Sequence, residues 1–142
     1  MASNPSQVIT FFIGNQEFCV DARIVRSIVR MDPVTKVPGV SNFVTGAMYC
    51  KGNIVPVIDL VPLGVGKEDF KSYTRLITAE YNGETIGLAV SSVGEAAKIP
   101  EDTLPTLVSL QSFMLDSRTV VFLDLEQILQ KQAPESLQKE TE

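Results

Sequence analysis

Short apolar, β-rich runs alternate with turn-forming residues along most of this chain. Residues 8–13 are β-branched or aromatic almost throughout, Gly14-Asn15-Gln16 turns the chain, and residues 17–20 return as a second strand. Asp21 stands where it would cap a single helical turn over residues 22–25. Residues 27–31 predict a strand ended by Asp32-Pro33, and residues 34–37 a short extended piece before Pro38-Gly39. One helical turn is expected at 41–44. Residues 44–50 and 54–58 then read as two strands joined at Lys51-Gly52-Asn53, because glycine and asparagine tolerate the positive φ of a tight turn. The second of these runs is continuously apolar, so it is expected to meet core on both sides, with Ile54 and Val57 or Ile58 dividing between core and edge. Pro56 cannot donate to a ladder, which predicts an edge or a bulge.

After a brief helical or irregular turn at 61–66 comes a polar link, 67–72, the clearest internal boundary. Asn82-Gly83 between the runs 74–81 and 84–90 is a strong hairpin signal. Residues 93–99 form a further strand that Pro100 ends, 101–115 read as a turn of helix and a loop, and 119–123 as a last strand. Asp124 caps a helix whose Leu125, Ile128 and Leu129 share one face. From 132 to 142 the polar composition predicts a disordered tail. Nine or ten short strands with few helices indicate an all-β barrel or sandwich.

A chain of 142 residues is one domain's worth and long enough to bury a core without metal or disulfides. Aromatic residues make up 7% and tryptophan is absent, so that core rests on aliphatic side chains. The net charge of −5 argues against a nucleic-acid binder, which needs a basic face. No apolar run approaches the roughly 20 residues that cross a bilayer, and the polar start carries no secretion signal, so a cytoplasmic protein is expected. Cys19 and Cys50 are then expected as buried free thiols.

Catalytic chemistry finds little to work with. There is no histidine, so neither cysteine has the usual activating base. Gly64-Val65-Gly66-Lys67 lacks the glycine spacing and the following hydroxyl of a phosphate loop. Asp21, Asp59 and Asp124 each end a strand, where a carboxylate satisfies free backbone N–H groups more readily than it does chemistry. No catalytic residue, metal ligand or cofactor is expected.

Gly46, Lys51, Gly52 and the run Val55-Pro56-Val57-Ile58-Asp59-Leu60 resemble the signature of the chemotaxis coupling-protein (CheW-like) family. Weaker matches occur in the family's order, from Phe18-Cys19-Val20-Asp21 to residues 123–129, so the resemblance spans 7–131. It implies two small SH3-like β-barrels packed on a shared core, with a short C-terminal helix. One barrel would span about 14–66, and the other 8–13 plus 73–131, the N-terminal strand crossing over. It also implies a non-catalytic adaptor, monomeric alone, that binds a chemotaxis histidine kinase regulatory domain and the cytoplasmic tip of chemoreceptors. By position, Val25, Ser27, Gly46 and Ala47 would face the kinase, and Lys51, Ile54 and Val55 would lie near a receptor-facing groove between barrels. The family usually has arginine at Lys51 and Asn-Leu at Tyr49-Cys50. Alternatives are a divergent coupling domain serving pilus or gliding control, and a β-barrel enzyme or small-molecule binder, which would need a deep pocket with convergent polar groups.

Overall fold

The structure, a computed structural model, describes residues 6–36, 44–100, 103 and 109–132. The β-rich runs form β1 (Ser6–Ile13), β2 (Gln16–Asp21), β3 (Val25–Arg30), β4 (Val44–Cys50), β5 (Asn53–Asp59), β6 (Arg75–Tyr81), β7 (Glu84–Val90), β8 (Ser92–Ile99), β9 (Ser112–Leu115) and β10 (Arg118–Phe122). A single α-helix, α1 (Leu125–Gln132), closes the described chain. The strands make two five-stranded sheets. A terminal sheet runs β8-β1-β2-β10-β9, and a central sheet runs β3-β6-β7-β5-β4. The all-β class, the two small units and the short C-terminal helix are as expected.

Sheet membership differs from the expected division of the chain. β2, placed in the 14–66 unit, pairs with β1, and β6 and β7, placed in the 73–131 unit, lie with β3, β4 and β5. The chain changes sheet between β2 and β3 and again between β7 and β8, not at the polar link 67–72. The local β1–β2 hairpin keeps β2 with β1, and pairings between strands distant in sequence, which composition does not report, complete the two sheets: β8 on β1 and β10 on β2 in one, β6 on β3 and β7 on β5 in the other. β9 was expected as loop or helix. The helical turn expected at 41–44 falls mostly outside the described residues, as do most of 101–108 and the tail from 133; Val44 opens β4 and Gln132 ends α1.

The core is continuous across the two sheets. Phe11, Ile13, Phe18 and Val20 of the terminal sheet pack in one cluster with Val57, Ile58, Leu76 and Leu88 of the central sheet and with Leu125, Ile128 and Leu129 of α1. A smaller cluster of Val8, Cys19, Ile99, Leu115, Val120 and Phe122 lies on the other face of the terminal sheet. That face also buries Glu17, whose carboxylate accepts from Arg118 Nε at 2.7 Å, while the same guanidinium reaches Glu95 on β8. Arg118 thus spans from β10 to the sheet's far edge, and its removal would leave a buried charge unpaired.

The capping reading of the three aspartates holds. Asp21 accepts from the Arg23 N–H, Asp59 from the Val61 N–H and Asp124 from the Gln127 N–H. Asp59 also takes the Tyr73 hydroxyl at 2.8 Å, tying the end of β5 to the chain just before β6.

Candidate protein-interaction site

The β4–β5 hairpin turns at Lys51 (φ 50°) and Gly52 (φ 85°), two successive positive values that match the twist of a two-residue hairpin. This turn fixes the register: Cys50 faces Asn53, Tyr49 faces Ile54, and Ala47 faces Pro56. Side chains alternate from there. Met48, Cys50, Val55 and Val57 point into the core, whereas Tyr49 and Ile54 stand 68% and 74% exposed on the opposite face. Ile54 therefore does not meet core on both sides, contrary to its apolar run, and Val57 and Ile58 are both fully buried. Lys51 is exposed at the tip beside this apolar pair.

Pro56 lies on neither an edge strand nor a bulge, since β5 sits between β7 and β4. Ala47 gives both backbone groups to Thr35, at 2.9 and 2.8 Å, so its pairing with Pro56 carries no hydrogen bonds. On the other side the ladder to β7 covers Val57 to Asp59. No bond is asked of the missing N–H. The edge of β4 is in turn covered at its middle by the residues after β3. Gly46 is buried there, and a side chain is excluded because a Cβ would fall 2.5 Å from the Thr35 carbonyl oxygen and 2.7 Å from Val34 Cγ1.

The expected site residues fall into three places. Lys51 and Ile54 are exposed at the hairpin tip, whereas Val55, 4% exposed, seats that hairpin from beneath. Gly46 and Ala47 lie under and beside the Thr35 bridge. Val25 and Ser27 are half-buried on β3, at the opposite end of the hydrogen-bonded order, with Ser27 Oγ 2.6 Å from Thr78 Oγ1. Tyr49 was missed as a site residue. The signal for it was the turn: a two-residue loop at Lys51-Gly52 places Tyr49 opposite Ile54 on one face.

A cleft of about 470 Å³ opens where Asp21 and Ile24, the Asn82-Gly83 turn and the start of α1 converge; Lys51, Ile54 and Val55 do not line it. Around Asp21, burial would raise the carboxyl pKa, but the Arg23 side chain and backbone N–H hold it below the usual range. Gly66 packs its backbone against Ile13, an ordinary structural contact for the glycine-rich loop. Cys19 and Cys50 are free and buried, and burial, followed by the nearby Glu17 charge, pushes the Cys19 thiol up to about 12. Among the described residues, no three Cys, Asp or Glu side chains converge as metal ligands would, and no helix is long and apolar enough to cross a membrane.

A sequence profile of the CheW-like domain matches residues 7–133. The chain belongs to the CheW-like domain family. Its relatives include a probable chemotaxis protein CheW of Rhizobium etli, 26% identical over 92% of this chain and 91% of the relative. The chemotaxis protein CheW of Helicobacter pylori is 28% identical over 88% and 82%. The crystal structure of the scaffolding protein TtCheW from Thermoanaerobacter tengcongensis superposes with a TM-score of 0.71, covering 89% of this chain and 93% of that one at 26% identity.

Proposed function

We propose that this chain is a non-catalytic chemosensory adaptor of the cytoplasm that couples a histidine kinase to chemoreceptors. In this reading Tyr49, Lys51 and Ile54 meet the cytoplasmic tip of the receptor, with Val55 holding their hairpin in place. Val25 and Ser27 on β3, together with Gly46 and Ala47, belong to the surface that meets the kinase regulatory domain. The observation that carries the reading is the Tyr49–Ile54 pair: two large apolar side chains directly opposite one another, both mostly exposed, on a hairpin whose other face is core. An exposed tyrosine on a rigid ribbon, with an aliphatic side chain packed opposite it, supplies the kind of anchor found at interaction hot spots. The protein is monomeric until its partners are present, in keeping with interfaces of modest area.

Size-exclusion chromatography of the purified chain with a kinase regulatory domain and a receptor cytoplasmic fragment tests this. Co-elution with both is expected, with Lys51→Glu weakening the receptor arm while leaving the fold intact. Elution of the chain free of both partners at micromolar concentration would overturn it.

A further inference from the structure

Arg30 on β3 lies directly opposite Arg75 on β6. Directly opposed residues of an antiparallel pair share a face, and like charges in that position destabilise the pairing. The fold does not relieve the clash. Among the described residues the ion pairs belong to Arg23, Arg26 and Arg118. Arg75 donates to the neighbouring Thr74 carbonyl at 3.1 Å, and the exposed Arg30 pairs with no described carboxylate. Arg26 on the same strand shows the ordinary solution, reaching Glu80 across to β6 at 2.8 Å. Ile28, two residues from Arg30 and so on its face, is 41% exposed. A chain of net charge −5 thus keeps two directly opposed arginines beside an exposed aliphatic residue at one end of its central sheet.

We infer that Arg30 and Arg75 together seat a carboxylate side chain presented by the protein partner that meets β3. Two planar guanidinium forks can each give parallel N–H bonds to one carboxylate, a geometry that a lone surface cation lacks. The bound anion also removes the repulsion carried by the free chain, so charge neutralisation favours the complex twice over. The inference rests on the reading that β3 faces the kinase, and it adds the chemistry of the contact: an acidic residue with an apolar neighbour to cover Ile28.

The test measures binding of a kinase regulatory domain to the wild-type chain, Arg30→Glu and Arg75→Gln over a range of salt concentrations. Arg30→Glu is expected to weaken binding by about tenfold or more and to flatten its salt dependence. The same change should raise the thermal midpoint by about 1–3 °C, since it sets opposite charges face to face. Undiminished affinity of Arg30→Glu for a kinase domain that the wild type binds would overturn the inference while leaving the adaptor reading intact. A second arm needs no kinase: NMR titration of the arginine Nε–H signals with a glutamate-rich peptide and with inorganic phosphate. Peptide-induced shifts at both arginines, lost in Arg30→Glu, support the carboxylate seat even if the wild type binds no kinase and the adaptor reading fails. A response to phosphate with none to the peptide assigns the pair to a small anion and overturns it.

Discussion

Two hairpins of the central sheet stand side by side and differ in what they show to solvent. β5 and β7 run parallel with Val57 opposite Gly87, which brings the Lys51-Gly52 and Asn82-Gly83 turns to one end of the sheet. Both turns use two successive positive φ values, 50° and 85° in one and 54° and 80° in the other. The second cross-strand pair from each turn is the informative position. In β4–β5 it is Tyr49–Ile54, and in β6–β7 it is Glu80–Thr85. All four side chains are exposed. Closely similar turn geometry thus carries, at the same depth, a polar pair in one hairpin and an apolar pair in the other. Folding does not require the apolar pair there, because its neighbour builds the same hairpin without it.

The comparison breaks most visibly through binding. Ile54→Asp should cost about 2 kcal/mol of partner affinity, roughly thirtyfold, with an unchanged circular dichroism spectrum. Thr85→Asp, at the matching position of the neighbouring hairpin, should leave affinity unchanged in the same calorimetric titration. A second contrast sets the two faces of β5 against each other. Val55→Ala removes buried methyl groups and should lower stability by about 2 kcal/mol in urea titration, whereas Ile54→Ala should stay within about 0.5 kcal/mol. Gly52→Ala and Gly83→Ala should each cost about 1 kcal/mol, since neither added Cβ meets an atom and only the positive φ is penalised. Unequal costs would mean that the two turns are not equivalent.

A pH-dependent effect lies away from both hairpins. Cys19 is fully buried with its thiol raised to about 12, from an ordinary value of 9.0. Above pH 9 the unfolded chain ionises this thiol while the folded chain keeps it neutral. Its contribution to stability is therefore complete below pH 9 and declines as the pH rises toward 12. Cys19→Ala should flatten that part of the stability profile, measured by urea midpoints.

Strand positions were legible wherever a β-rich run met turn chemistry, as in residues 8–20 and around Asn82-Gly83. β9 was not, because Ser112-Phe113-Met114-Leu115 is short and bears few β-branched residues. The grouping of strands into sheets escaped the sequence too, since the β10–β2 and β5–β7 contacts join distant segments and leave no local pattern. At the candidate site, the hairpin and the exposed Lys51 could be read from turn residues. The outward face of Ile54 could not, because a continuous apolar run has no period to separate its two sides. The opposition of Arg30 and Arg75 depends on a register that shifts between Val25 and Ser27, which no spacing in the chain encodes.

In the proposed function the apolar pair on β4–β5 serves another protein and not this chain's own core. The double variant Tyr49→Glu/Ile54→Thr gives this hairpin the surface pair of its neighbour, and its affinity for a receptor cytoplasmic fragment can be measured by isothermal titration calorimetry alongside its thermal midpoint. A midpoint equal to wild type and no detectable receptor binding are expected. Wild-type affinity in the double variant, or a loss of binding explained by unfolding, would contradict it.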